Sequence, residues 1–316
     1  MCQERSGWLI GRVSLVPQWQ SLLGGALLLL TAMVLSVGHW AIQTHAGTWS
    51  SPSELLVSTG LSVVAVAGFG IACAQLCHSA IGGALFSSAA FLSNGGIAVM
   101  SGDQLVPAAS AAIALAAASI AGPIAAGLCA LAVAMTCRFA GPQIAYLVIV
   151  PLVLSVAWLR SSRPLWGGAG VVAAGVVGTA LAGPLPLIGD IELATLHSII
   201  GACGTGSGVG LVLTCVGLAI LAPVPWRNGG AAGLALAVFA VALTVRAPLL
   251  ACIGLAVFAA HMARQVATTR GPGIEIIAGI AAILPAAPYV LGLSRSIVII
   301  IVPLLSAPSA LAGAPN

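Results

Sequence analysis

The sequence predicts an all-α fold: a polytopic integral membrane helical bundle of about eleven transmembrane helices, roughly ten to twelve, with no soluble domain. Three observations predict it. Of 316 residues, 60% are apolar and 5% are charged. The mean hydropathy is +1.16. Apolar runs of spanning length follow one another with short polar links between them. A soluble domain of average composition is about 25% charged, so ten arginines and six acids could not cover a soluble surface.

Composition also excludes two other classes of protein. The formal net charge of +4 is scattered along the chain, and a nucleic-acid-binding protein would instead carry a basic stripe. A disordered chain would be poor in apolar residues. The expected partners are therefore the lipid bilayer and other membrane proteins, and no nucleic acid.

Each predicted span is an apolar run close to the length needed to cross a bilayer, about 17–25 residues. The spans are 21–42, 54–77, 81–100, 105–121, 123–137, 143–158, 166–182, 194–222, 229–245, 248–264 and 274–293. Residues 105–137 would form a helix of about 50 Å, too long for one span, and Gly122-Pro123 divides it into two. The first run is expected to be a retained signal anchor, not a cleaved signal peptide.

The chain is accordingly divided into three parts. Residues 1–20 form a cytoplasmic N-terminal segment, and residues 21–295 form the transmembrane domain. Residues 296–316 form an apolar C-terminal tail interrupted by Pro303 and Pro308. We expect this tail to lie at the membrane interface, and a twelfth spanning helix is the alternative.

The arginines predict the orientation. With the N-terminus in the cytoplasm, seven arginines fall inside and three fall outside, as the positive-inside rule requires. The inside set is Arg5, Arg12, Arg160, Arg163, Arg227, Arg264 and Arg270. The chain has no lysine and is rich in Ala, Gly and Val, which indicates a bacterial protein. The predicted location is the bacterial inner (plasma) membrane.

No pattern in the spans indicates catalysis, a metal site or a cofactor. Every charged residue maps near a predicted helix end, whereas a coupled transporter would usually carry an acid at mid-membrane. The histidines do not pair at i, i+3 or i+4. Cys73, Cys77 and His78 have one residue too many for a haem-attachment motif. We therefore predict no catalytic, metal-binding or cofactor-binding residue.

Two uncharged features are candidates for helix packing or for a helix break. Gly204, Gly206, Gly208 and Gly210 follow one another at alternate positions and include two small-xxx-small spacings, which allow helices to approach closely. The same stretch is where the eighth span could unwind, as helices do at the substrate sites of transporters. Asn94, in the predicted third span, is expected to form an interhelical hydrogen bond.

Arg264, Arg270 and Glu275 bring charge together in a chain that has little of it. They are predicted to form a cytoplasmic link between the last two spans that docks a partner or sets orientation. The alternative is local, because a carboxylate in the first turn of a helix gains about 0.3–1 kcal/mol from the helix dipole.

The order of features over residues 264–295 resembles the closing segment of the EccD family, the polytopic membrane component of type VII secretion systems. The segment contains Arg264, Arg270 and Glu275, then Leu284-Pro285-Ala286, then Val290-Leu291-Gly292-Leu293 before Arg295. The resemblance implies a scaffold without chemistry of its own, present as paired copies beside a secretion ATPase. Residues 1–20 are too few for the ubiquitin-like domain with which that family begins.

Three functions follow as alternatives. The first is a non-catalytic membrane component of a type VII-like protein secretion complex, with a homodimer and a secretion ATPase as partners. The second is a small-molecule permease, which the helices broken by Gly and Pro favour and the absence of intramembrane charge opposes. The third is a membrane-embedded enzyme of unknown reaction.

Overall fold

A computed structural model describes residues 18–45, 52–93, 105–120, 123–141, 144–160, 206–221, 226–244, 247–288 and 290–291. These residues form helices and the short turns between them, and within them the only strand-like pairing is one isolated bridge between Ser93 and Gly206. The predicted all-α class is confirmed for this part of the chain. The predicted span 166–182 and the C-terminal tail lie outside the described residues.

The first six helices alternate in direction through the bundle. They are α1 (Gln18–His45), α2 (Pro52–Cys77), α3 (Ala80–Phe91), α4 (Leu105–Ile120), α5 (Pro123–Ala140) and α6 (Val150–Arg160). A π-helical turn, Ala145–Ile149, leads directly into α6. Pro151 lies just after it and has no backbone N–H to donate to the preceding turn, which favours this wider turn.

Four more helices complete the described part of the chain. They are α7 (Ser207–Leu221), α8 (Trp226–Thr244), α9 (Pro248–Arg270) and α10 (Ile274–Ile283). A 3₁₀ turn, Leu284–Ala286, continues α10, and Pro285 accounts for the change in helix type.

Three of the described helices contain segments that are long and apolar enough to cross a membrane. These segments are Gln18–Gly38, Leu56–Cys77 and Pro248–Arg270. Shorter apolar helices of 10–17 residues pack beside them. The outward faces carry large apolar side chains, such as Leu22 and Ile220, which would suit lipid. These features support the predicted membrane protein.

Contacts between helices define the two ends of the bundle. Arg160, at the end of α6, donates to the Ser119 carbonyl near the end of α4 and to Gln75 near the end of α2. The last turn of α9 carries Arg270 at this same end, which we call the arginine end. Arg138, in the last turn of α5, lies at the opposite end because α5 starts where α4 stops. Arg160, Arg264 and Arg270 thus lie at the arginine end, and Arg138 lies at the opposite end.

Helices α3 and α9 form the centre of the bundle. Every residue of α3 from Gly82 to Phe91 is buried, and so is every residue of α9 from Leu249 to Ala263. Over these residues neither helix has a face left for lipid. Small residues make this packing possible, because a Cβ at Gly279 of α10 would lie only 2.6 Å from the Cβ of Leu85.

Helix α9 corrects the predicted boundary at residue 264. The helix continues to Arg270, so Arg264 and Arg270 lie on it and the link to α10 is only Gly271, Pro272 and Gly273. The polar composition after residue 264 suggested a loop, but nothing there breaks a helix until Gly271. That glycine adopts φ +107° and ends the helix.

The third predicted span is also shorter than expected. A continuous helix over 81–100 was predicted, whereas α3 ends at Phe91 and Ser93 forms the isolated bridge. The hydroxyl of Ser93 donates to the Ala90 carbonyl at 2.6 Å, which occupies an acceptor at the helix end. Residues 94–104, including Asn94, lie outside the described part of the chain.

Candidate functional site

The end of α3 and the start of α7 meet inside the bundle. Ser93 and Gly206 form an antiparallel bridge there, and the Ser207 hydroxyl donates to the Ala89 carbonyl. Helix α3 begins at the arginine end and has 12 residues, a length of about 18 Å. This length is shorter than the hydrocarbon core of a bilayer, which is about 30 Å thick. We call this meeting point the α3–α7 junction.

Gly206 makes the junction possible. It adopts φ +62°, a left-handed conformation that other residues adopt at a cost of about 1–2 kcal/mol. A Cβ at this position would also lie 3.1 Å from the Leu92 carbonyl oxygen. Helix α7 therefore begins at Ser207, directly after Gly206. Residues 194–205 of the predicted eighth span lie outside the described part of the chain.

Buried hydroxyls surround the last turns of α3 and the start of α7. They are Thr31, Ser87, Ser88, Ser93 and Ser207. The Thr31 and Ser88 hydroxyl oxygens lie 2.7 Å apart, so one donates to the other between α1 and α3. Ser87 donates to the Val66 carbonyl of α2 at 2.8 Å. The junction thus contains uncharged hydroxyl and carbonyl groups that bond to one another between helices.

Thr214 adds a buried polar group on the same helix. Its hydroxyl has no hydrogen-bond partner, although the residue is only 8% exposed. A buried hydroxyl without a partner costs about 1–3 kcal/mol, and threonine in a helix can usually avoid that cost by donating to the preceding turn. Thr214 lies two turns after Ser207, on the same face of α7. That face therefore carries a hydroxyl with unused hydrogen-bonding capacity.

The predicted glycines occupy different environments. Gly210 lies against the Ala282 carbonyl of α10, and a Cβ there would come within 2.9 Å of the Pro285 ring. Gly208 is buried in α7. Gly206 precedes the helix, so Gly206 and Gly210 are not two positions of one helix face. Gly204 lies outside the described residues, as Asn94 does.

A second polar cluster lies at the arginine end. The Arg160 side chain donates to the Ser119 carbonyl at 3.2 Å, to Gln75 Oε1 at 2.9 Å and to His78 Nε2 at 3.4 Å. These contacts tie α6 to α2, to α4 and to the turn before α3. We call Gln75, His78, Arg160 and the Ser119 carbonyl the polar clamp.

The predicted docking residues lie beside this clamp, but they do not form one exposed group. Glu275 is buried, at 5% exposure, and its Oε1 lies 3.8 Å from Arg264 Nη1. Its other oxygen accepts from the Gly273 amide at 3.2 Å. Its Cβ and carbonyl pack against Gly82 of α3. The carboxylate therefore bonds within the α9–α10 turn, whereas Arg270 is exposed.

His78 occupies the turn between α2 and α3 in an unusual conformation. Its φ is +58°, the only positive value for a non-glycine residue in the described part of the chain. Histidine, asparagine and aspartate adopt this region more readily than most residues. Partial burial lowers the pKa of His78, the charges of Arg264 and Arg160 lower it further, and Glu275 opposes them.

The polar clamp is the feature that sequence reasoning missed. Gln75 lies in the last turn of α2 and His78 follows the helix directly, so two polar residues close together at the end of an apolar run were the available signal. The comparison with a haem motif considered His78 only together with Cys73 and Cys77. Both thiols are buried and free, and no group of three metal-ligating side chains occurs within the described ranges.

No protein-family model, curated protein or solved structure matches this chain.

Proposed function

We propose that this chain is a multi-pass protein of the bacterial inner membrane that carries a small polar solute across the bilayer. The proposal includes about eleven spans with the N-terminus in the cytoplasm, as the apolar runs and arginines predict. The arginine end is then the cytoplasmic end. The placement of Arg160, Arg264 and Arg270 opposite Arg138 supports this orientation.

The observation that carries the proposal is the α3–α7 junction. Helix ends and non-helical backbone are tolerated at membrane depth only where protein or a water-filled cavity surrounds them. Discontinuous helices of this kind form the substrate sites of many transporters. Here Ser93 and Ser207 are fully buried at the break, and Thr214 extends the polar face along α7. A site for a polar solute within the bilayer requires polar groups of this kind.

The charges favour a solute without net charge. Glu54, Arg138, Arg160, Arg270 and Glu275 lie in the first or last turns of their helices. Arg264 lies beside Glu275 at the arginine end. None of these described charges is placed to neutralise an ion at the junction. Hydroxyl and carbonyl oxygens can still hydrogen bond a polyol, an amide or a zwitterion.

Solute flux in proteoliposomes tests the proposal. We would reconstitute the full chain and measure entry of glycerol, urea, glycine and a neutral hexose. Gly206→Ala should lower the flux of the carried solute about 5- to 30-fold, because the left-handed conformation then costs about 1–2 kcal/mol. Gly217→Ala is the matched control, since a Cβ there meets nothing within 4 Å. Equal flux in the two variants, or flux no faster than in empty liposomes for all four solutes, would contradict the proposal.

A second candidate is the non-catalytic subunit of a type VII-like secretion complex. The observation that favours it is the exposed Arg270 at the end of α9, within the segment that resembles the EccD family. Partner contacts would then involve Arg270 and the partly exposed Arg264, because Glu275 is buried. Crosslinking in native membranes followed by purification should recover a second copy of the chain and an ATPase. Recovery of the chain alone would count against this candidate.

A further inference from the structure

The hydrogen bond between Arg160 and His78 requires a particular protonation state of the His78 ring. Arg160 Nη1 and His78 Nε2 lie 3.4 Å apart. A guanidinium group can donate hydrogen bonds but cannot accept them, and it stays charged in proteins. His78 Nε2 must therefore accept with a lone pair, so the ring is neutral and carries its proton on Nδ1. A second proton on the ring would remove the acceptor.

The charged groups around His78 make that second proton unfavourable. Arg160 faces it from α6, Arg264 from α9 and Glu275 from α10, while the neutral thiol of Cys77 precedes it at the end of α2. Among the described residues, two cations and one carboxylate act on the ring. The carboxylate is already 3.8 Å from Arg264 and accepts from the Gly273 amide. A protonated His78 would be a third cation with one shared counter-ion.

The contact between Arg160 and His78 lies where several parts of the bundle are joined. Arg160 holds Gln75, His78 and the Ser119 carbonyl together, and these groups belong to three separate segments of the bundle. The next residue, Ser79, accepts from the Gly82 amide at 3.1 Å and caps α3. Movement of His78 would therefore disturb both the contact of α6 with α2 and the start of the central helix.

We propose that His78 makes the polar clamp pH-sensitive: the neutral ring accepts a hydrogen bond from Arg160, whereas the protonated ring is repelled by Arg160 and Arg264 and loosens the α2–α3 turn. Acidification on the arginine side of the membrane would then release α6 from α2. This proposal does not depend on the transport proposal, because its readout is the stability of the chain.

The direction of the pH dependence follows from linkage. Burial and the two arginines place the pKa of His78 below its ordinary value of 6.5 in the folded chain. The unfolded chain then takes up the proton more readily. Stability that depends on neutral His78 is complete above pH 6.5 and is lost as the pH falls through 6.5 toward the folded-state pKa.

A double-mutant cycle tests the proposal. The full chain in lipid nanodiscs would be unfolded thermally at pH 8.0 and pH 5.5 as wild type, His78→Asn, Arg160→Gln and the double variant. Asparagine tolerates a positive φ and can accept from Arg160, but it does not titrate. Because asparagine replaces the neutral acceptor, we expect a coupling near zero between the two positions at pH 8.0 and a coupling that destabilises the wild type at pH 5.5. Arg270→Gln is the matched control, and its coupling to His78 should be near zero at both values.

Either of two results would overturn the proposal. One is a coupling of the same sign and size at both pH values. The other is a pH dependence of the melting temperature in His78→Asn that equals that of the wild type. If His78→Asn does not fold, Arg160→Gln alone decides: removal of the cation should flatten the wild-type pH dependence, and an unchanged dependence would refute the mechanism.

Discussion

Replacing Gly210 by alanine should destabilise the bundle although alanine is the better helix former. In a helix interior, this replacement ordinarily gains about 0.5–1 kcal/mol. At Gly210, however, the new methyl group would meet the Ala282 carbonyl of α10 and a ring carbon of Pro285 at 2.9 Å. Neither group can rotate away, so α7 and α10 must separate.

The magnitude follows from two opposing contributions. Overpacking of a close contact costs about 1–3 kcal/mol, and the rigid neighbours of Gly210 favour the upper end of that range. After the gain in helix propensity is subtracted, Gly210→Ala should lower the free energy of unfolding by about 2 kcal/mol. Gly217→Ala, seven residues later on α7, meets nothing within 4 Å and should raise that free energy by about 0.5–1 kcal/mol.

Denaturant unfolding of the purified full chain in mixed micelles would measure both variants against the wild type. Opposite signs for the two substitutions on one helix would show that the close approach to α10, and not helix propensity, decides the effect. If both variants are stabilised equally, α10 does not lie against Gly210 and the described packing is incorrect.

The remaining predictions concern the arginine end and the topology. Glu275→Gln should lower the free energy of unfolding by about 0.5–1 kcal/mol. The loss is small because Arg264 is partly exposed and the amide oxygen of glutamine can still accept from Gly273. A larger loss would show that the ion pair is stronger than expected. Arg160→Gln should lower the free energy of unfolding by about 2 kcal/mol at pH 8.0, since it weakens several hydrogen bonds. An unchanged free energy of unfolding would contradict the polar clamp. Single cysteines at positions 161 and 188 should label from the cytoplasm and from outside, respectively; labelling from one side would refute the eleven-span topology.

Composition and periodicity determined the class of protein and most of the helices. A chain that is 60% apolar and 5% charged has few ways to form a soluble surface. The apolar runs at 54–77 and 105–121 agree with α2 and α4 to within two residues. Gly122-Pro123 correctly separated α4 from α5, because glycine and proline disfavour helix through their own backbone geometry. Such signals are local and need no knowledge of neighbouring helices.

The sequence was less informative in two situations. In one, polar residues continue a helix; in the other, a helix ends within an apolar run. Thr268, Thr269 and Arg270 suggested a loop, yet they complete α9, where the two threonine hydroxyls donate to carbonyls of the preceding turn. The apolar run after Ala80 suggested a full span, yet the helix ends at Phe91. Hydropathy measures transfer into lipid and does not detect a helix end that other helices enclose.

Only the tertiary structure decided which polar groups meet. Gln75, Ser119 and Arg160 lie on three helices and are separated by 41 to 85 residues, so no local spacing could have joined them. Glu275 looked like a docking residue because charge is rare in this chain, but the residue is buried and its Cβ lies against Gly82. The sequence alone does not show whether a charged side chain points into the bundle or outward, because that depends on how the surrounding helices pack. That packing turned Glu275 inward and left Arg270 exposed.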